Sequence, residues 1–330
     1  MAKIYQSIRE LVGHTPLVEL TNYEKAHNLQ ARILVKLEYF NPNQSVKDRI
    51  ALHMIEQAEA DGRLKPGDTI IELTSGNTGI GVASIAASKG YKFRLVVQDN
   101  VSRERFQVIH AFGGETQNLS EVPVLAQTLA ETDWDFVAAL KAYKEKVLPL
   151  EEHAFFVNQM ENPDNPGAHE KTTGPEIWED TDGEVGIYVA SVGTGGTVSG
   201  AGKYLKSKNP DIQVVAVQPT PDSVATPDNP DAEEITGVHI FEGDHIRPET
   251  IPENFDRTIH DETIAASTQQ AYEVVREVAR REGILLGTSS GAAIYAATIL
   301  ARRPRNAGKL IVAIAPDTGL RYLTTNLYKV

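Results

Sequence analysis

Apolar residues collect in short continuous runs at 32–37, 69–73, 93–97, 154–157, 185–192, 213–217 and 309–315. Runs of this length, rich in Val, Ile and Leu, predict strands buried on both faces. Between most of them apolar positions recur every three or four residues, which predicts helices over 48–61, 77–89, 102–112, 197–207, 263–281 and 290–302. Strand and helix in alternation predict an α/β chain with largely parallel sheets. Such sheets place ligands at the carboxyl ends of their strands, so chemistry is sought in the loops that follow strands.

With 330 residues the chain is long for one core, and two domains of about 150 residues are expected. The breaker-rich segment Glu161-Asn162-Pro163-Asp164-Asn165-Pro166 sets the boundary, giving domains 1–160 and 161–330. The Pro- and Asp-rich stretch 218–231 reads as a loop. Residues 117–150 mix strand and helix signals, with a helix at 133–146 as one reading. A net charge of −13 argues against nucleic acid or an anionic membrane as partner. No apolar run is long enough to span a bilayer. The absence of cysteine excludes disulfides, thiolate metal sites and cysteine nucleophiles. No histidine pair has helical metal-site spacing, so no metal is expected. Met1 to Ser7 lack the apolar stretch of a secretory signal, and a cytoplasmic location is expected.

Lys47 has unusual surroundings. Asn41-Pro42-Asn43 breaks the chain before it, Ser45 is a candidate N-cap, and Ile50, Leu52, Met54, Ile55 and Ala58 mark a helix from Asp48. A cation in the first turn of a helix meets the positive end of the dipole, which favours the neutral, nucleophilic amine. Such an amine suits a Schiff-base lysine. A solvated surface charge is the ordinary alternative.

Three loops follow strands or open helices. Thr74-Ser75-Gly76-Asn77-Thr78-Gly79 offers backbone N–H groups, hydroxyls and an amide at a helix N-terminus, which suits a carboxylate. The same residues also make an ordinary glycine-rich turn. Gly193-Thr194-Gly195-Gly196-Thr197 lets the backbone approach a phosphate and adds two hydroxyls. It lacks the Lys-Ser/Thr pair of a Walker A loop. Its sixth position is Val198, and the next strand ends at Gln218 where a dinucleotide fold places Asp or Glu. A phosphate on something other than a dinucleotide is the better reading. Gly287-Thr288-Ser289-Ser290-Gly291 alone reads as a helix start with an N-capping serine.

A lysine for an aldehyde, a cradle for a phosphate and hydroxyls for a ring describe pyridoxal phosphate. Asn-Pro-x-x-Ser-x-Lys-Asp-Arg, Thr-Ser-Gly-Asn-Thr-Gly, Gly-Thr-Gly-Gly-Thr and Ser-Ser-Gly-Ala-Ala occur here in that order. Gly13-His14-Thr15-Pro16-Leu17, Ser102-Arg103-Glu104-Arg105, HEKTTGPEIW at 169–178 and PDTGLRYL at 316–323 accompany them. The ordered set resembles the cysteine synthase (O-acetylserine sulfhydrylase) and cystathionine β-synthase family over nearly the whole chain.

The resemblance implies two three-layer α/β domains of the fold-type-II, tryptophan synthase β-like architecture, with early strands at about 17–38 joining the C-terminal sheet. It implies pyridoxal 5′-phosphate as cofactor, with Lys47 forming the internal aldimine and later removing the substrate α-proton. Asn77 is then expected at the cofactor O3′, Gly193, Thr194, Gly195, Gly196 and Thr197 around its phosphate, and Ser289 at its ring nitrogen. Thr74, Ser75, Gly76, Thr78, Gln159 and Gly237 are expected to bind substrate. A serine hydroxyl cannot keep the ring nitrogen protonated as an aspartate does, so the ring is a shallower electron sink and loss of a group from Cβ competes better. Elimination to an aminoacrylate, followed by addition of a nucleophile, is the expected chemistry.

Cysteine synthase acting on O-acetylserine and sulfide leads these expectations. Cystathionine β-synthase using O-acetylserine or serine, and a sulfide-releasing cysteine lyase, are its enzymatic rivals. A non-catalytic binding protein of the same fold and a nicotinamide oxidoreductase are more remote. A homodimer and a serine acetyltransferase partner follow from the resemblance alone. The family pattern is departed from at 236–248, which is longer and more charged than the usual glycine-rich turn. It reads either as a surface insertion or as a segment in which Asp244 or a histidine meets the second substrate.

Overall fold

The computed structural model describes residues 4–98, 103–132, 135–226, 229–244, 246 and 248–329, and of 103–105 and 136 the backbone alone. The chain forms two compact units, one from Met1–Val12 and Lys47–Asp164, the other from Gly13–Val46 and Asn165–Val330. In chain order the strands among the described residues are β1 (Leu17–Glu19), β2 (Arg32–Leu37), β3 (Thr69–Leu73), β4 (Lys92–Val97), β5 (Glu115–Asn118), β6 (Ala154–Phe156), β7 (Val185–Ser191), β8 (Gln213–Pro219), β9 (Glu262–Ala266) and β10 (Leu310–Ala315). The first unit holds a four-stranded sheet in the order β5-β4-β3-β6, and every pairing in it is parallel. The second holds a six-stranded sheet in the order β1-β2-β10-β7-β8-β9, parallel except for β1 against β2.

Strand periodicity explains why the apolar runs are continuous. Successive side chains point to opposite faces of a sheet. In the second unit Ile33, Val35, Ile187, Val189, Val215, Val217, Ile311 and Ala313 belong to one apolar cluster. Their alternate neighbours Leu34, Tyr188, Ala190, Val214, Ala216, Val312 and Ile314 belong to another. Helices Thr268–Glu282 and Thr288–Ala301 cover the first face through Val275, Val278, Ile294 and Leu300. Helices Thr173–Asp180 and Gly196–Lys208 cover the second through Ile177, Val198, Ala201 and Leu205. Both faces are buried, giving three layers. The lysine of β2, Lys36, is fully buried, and its Nζ meets Glu176 (2.9 Å), Asp180 (3.2 Å) and the Thr15 carbonyl (2.6 Å).

The expected helix over 263–281 is corrected. Glu262–Ala266 is an edge strand parallel to β8, and the helix begins at Thr268. Ser267 and Gln270 form a capping box there, so the chain leaves the extended form at a signal that helical spacing alone overlooks. The expected N-capping serine is also corrected: Gly287 holds the cap position, and Thr288, Ser289 and Ser290 are already helical. A Cβ at Gly287 would stand 2.0 Å from Asp317 Oδ1, which is why glycine is needed. At 133–146 the helix is Phe136–Ala142, capped by Asp135 and continued as a π-turn over Tyr143–Val147. The polar strand β5 and the helices Thr21–His27 and Asp164–Lys171 carried no readable apolar pattern. Ser102, Asp133, Pro227, His245 and Arg247 lie outside the described residues.

Candidate active site

Lys47 is the first residue of the helix Lys47–Asp61 and is partly exposed, whereas Asp48, Arg49 and Ile50 after it are buried. Ser45 lies two residues upstream, in a bridge to Asp317. The helix Asn77–Lys89 packs closely against Lys47–Asp61: a Cβ at Gly81 would stand 3.2 Å from the Lys47 carbonyl and 3.3 Å from Ala51 Cβ. That approach fixes the loop ahead of Asn77 relative to Lys47.

The loop starts where β3 ends. Thr74 is buried, while Ser75, Gly76 and Asn77 are partly exposed. Gln159 ties the loop together from the segment after β6. Its Nε2 donates to Thr74 Oγ1 (3.1 Å), and its Oε1 accepts from Thr78 Oγ1 (2.5 Å). Thr74 Oγ1 also accepts from Gly76 N (3.3 Å). Lys47, Thr74, Ser75, Gly76, Asn77, Thr78 and Gln159 thus share one unit.

A residue missed by sequence reasoning holds Gln159 from beneath. Glu72, the one acid in β3, is buried, and its carboxyl accepts from Leu73 N (2.9 Å) and Gln159 N (3.3 Å). Burial pushes this carboxyl up to about 8, against the pull of both N–H groups and of the Lys47 charge. An acid inside an apolar strand was the available signal.

The second unit carries the other loop, between β7 and the helix Gly196–Lys208, whose cap residue is Gly195. A Cβ would stand 2.4 Å from the Gly237 carbonyl at Gly193, 2.4 Å from Phe255 Cβ at Gly195 and 1.9 Å from Asn165 Oδ1 at Gly196. Gly195 also has φ of +80°. Three close approaches leave bare backbone around the helix N-terminus, and Thr194 and Thr197 add hydroxyls. This cradle suits a phosphate. Asn165 Nδ2 donates to Thr194 Oγ1 (3.0 Å), and His169 Nε2 lies 3.2 Å from Thr197 Oγ1. Gly195→Ala is expected to cost about 2–5 kcal/mol, combining left-handed strain with overpacking. Unfolding midpoints in urea check this, and an unchanged midpoint would rule out the close packing.

Ser289 is buried in the first turn of its helix, and its carbonyl accepts from Ser191 Oγ (2.9 Å) at the end of β7. Gly237, at φ of +72°, is the second residue of the unusual loop, where Thr236 N donates to Thr288 Oγ1 (3.1 Å) and His239 N to the Val192 carbonyl (2.9 Å). Gln218 clasps the same loop further on. Its Oε1 accepts from Phe241 N and Glu242 N, and its Nε2 donates to the Glu242 carbonyl. The amide that replaces a ribose-binding acid is therefore committed to loop structure. Asp244 is exposed. Among the described residues no cluster of three His, Asp or Glu side chains could hold a metal ion.

The chain is similar to known proteins along nearly its whole length. The family model described as pyridoxal-phosphate dependent enzyme matches residues 8–317. A cysteine synthase of Staphylococcus aureus is 42% identical over 328 residues, 99% of this chain and 98% of that protein. The crystal structure of a cysteine synthase from Entamoeba histolytica superposes with a TM-score of 0.86 at 40% identity, covering 99% of this chain and 92% of that one. A hydrogen sulfide-producing enzyme from Fusobacterium nucleatum superposes with a TM-score of 0.83 at 36% identity, covering 98% of this chain and 99% of that one. A match across nearly the entire chain shows that it belongs to the family of pyridoxal-phosphate dependent enzymes.

Proposed function

We propose that the enzyme is a cysteine synthase, replacing the acetate of O-acetylserine with sulfide to give cysteine and acetate. The Thr74–Gln159–Thr78 hydrogen-bond circuit beside the Lys47 helix carries this reading, because it offers neutral donors suited to an amino-acid carboxylate. The cysteine synthase relatives support it. Pyridoxal phosphate, when bound, supplies an electron sink for charge developing at the amino acid Cα.

Lys47 Nζ would hold the cofactor, and the same amine would take the α-proton of the substrate. Thr74, Ser75, Gly76, Thr78 and Gln159, with Gly237, hold the substrate. Asn77 donates toward the cofactor O3′, and residues 193–197 hold the phosphate. Ser289 would offer the ring nitrogen a neutral hydroxyl rather than a carboxylate, which would favour loss of a group from the substrate Cβ. Asp244 is the side chain of the unusual loop assigned to choice of the second substrate. Homodimer formation, a serine acetyltransferase partner and a cytoplasmic setting extend the reading. No helix among the described residues is long and apolar enough to cross a membrane.

The test is product analysis of purified enzyme given O-acetylserine with sulfide or homocysteine, and given cysteine alone. Cysteine formed from sulfide as the fastest product is expected. Faster sulfide release from cysteine alone would favour the activity named for the Fusobacterium relative, and faster cystathionine formation would favour the homocysteine reading. Asp244→Asn is expected to change the ratio between acceptors. An unchanged ratio would make the loop a surface insertion.

A further inference from the structure

HEKTTGPEIW is a motif to which the proposed function gives no role, and the structure sets its first residue against the phosphate cradle. Asn165 and His169 lie four residues apart on the helix Asp164–Lys171, hence on one face, and both are buried. Gly196 and Gly200 meet that face. A Cβ at Gly200 would stand 2.0 Å from the Pro166 carbonyl, and the Gly196 position abuts Asn165. The two helices are therefore in backbone contact, and the polar side chains of one reach the hydroxyls of the other.

A threonine hydroxyl has one proton to donate and two lone pairs. If Thr197 spent its proton on His169, the cradle would turn oxygen lone pairs toward an anion. The contacts allow the opposite polarity. Asn165 Nδ2 donates to Thr194 Oγ1 (3.0 Å), leaving the Thr194 proton for a ligand. His169 Nδ1 lies 2.9 Å from Thr173 Oγ1, and Nε2 lies 3.2 Å from Thr197 Oγ1. With Thr173 donating to Nδ1, the imidazole carries its proton on Nε2, donates it to Thr197 and frees the Thr197 proton.

We propose that Asn165 and His169 are positioning residues that fix the hydroxyl polarity of the cradle, so that Thr194 and Thr197 both donate to the cofactor phosphate. This rests on the reading that residues 193–197 hold the phosphate. The experiment separates the two. Apoenzyme is titrated with pyridoxal 5′-phosphate and with pyridoxal, which lacks the phosphate, and binding is followed by absorbance.

His169→Phe is expected to weaken pyridoxal 5′-phosphate at least about tenfold while leaving pyridoxal unchanged, as expected for a lost charge-assisted contact. His169→Gln, whose Nε2–H can reach Thr197, should recover most of the loss. Equal losses for both ligands, or none, would overturn the polarity argument. A Thr197→Val protein that keeps the full preference for the phosphorylated ligand would overturn the phosphate assignment, and the proposal with it. Nitrogen-15 spectra of histidine-labelled holoenzyme, assigned with His169→Gln, give a second readout. They should show the Nε2–H tautomer at His169, and the Nδ1–H tautomer would exclude the proposed relay whether or not His169→Phe folds.

Discussion

Lys47→Ala is expected to lower turnover by about 10⁴-fold, the upper end of what a positioned general base contributes. It is also expected to abolish covalent capture of the cofactor. Two losses coincide because the proposal gives one amine both tasks. The structure supplies a matched control in Lys36, which is fully buried and committed to Glu176, Asp180 and the Thr15 carbonyl. An ammonium held that way is a structural charge and a poor nucleophile. Borohydride reduction of the holoenzyme followed by peptide mapping should label Lys47 and leave Lys36 clean. A label elsewhere, or a Lys47→Ala protein within tenfold of wild-type turnover, would remove Lys47 from the chemistry.

Replacement of Glu72 should change stability in a pH-dependent way. Its carboxyl is raised by burial from an ordinary 4.5 to about 8. In the unfolded chain the group ionises near 4.5, while the native protein keeps the proton until about pH 8. The native state binds more protons throughout that window, so its stability falls as pH rises. The contribution is fully present below pH 4.5 and lost once pH passes 8. A shift of that size corresponds to roughly 5 kcal/mol.

Glu72→Gln has no such proton to hold. The variant keeps one acceptor for the Leu73 and Gln159 N–H groups and loses the other, a penalty that does not vary with pH. Urea unfolding of the two apoproteins at several pH values between 4.5 and 9 should therefore show the wild-type losing stability faster than the variant. Parallel curves would mean that Glu72 is ionised throughout.

The parallel sheets were legible because strands buried on both faces are apolar at most positions, as β2, β7, β8 and β10 are despite the buried Lys36 of β2. Edges were less legible. β5 is polar along its length, and β9 ran into the following helix because Ile264-Ala265-Ala266 fits either period. Lys47 and its flanking breakers were readable locally, as were the two glycine-rich loops. The partners of those loops were not. Glu72, Asn165 and His169 act across sequence distance, through hydrogen bonds that no spacing rule anticipates. The crowded contacts at Gly193 and Gly196 belong to the same class, since a glycine in sequence does not say what stands where its side chain would be.

The pairing of β2 with β10 has a consequence during synthesis. Arg32 is registered opposite Leu310, so the apolar strand Arg32–Leu37 emerges from the ribosome long before its parallel neighbour exists. At ordinary translation rates the delay is on the order of half a minute. In that interval Lys47–Asp164 can complete its own sheet, while β2 has only the short β1 beside it. Its other edge stays open to strands of neighbouring chains. A nascent chain is therefore most exposed to misassembly after its middle has folded, and the last strands to leave the ribosome relieve that exposure.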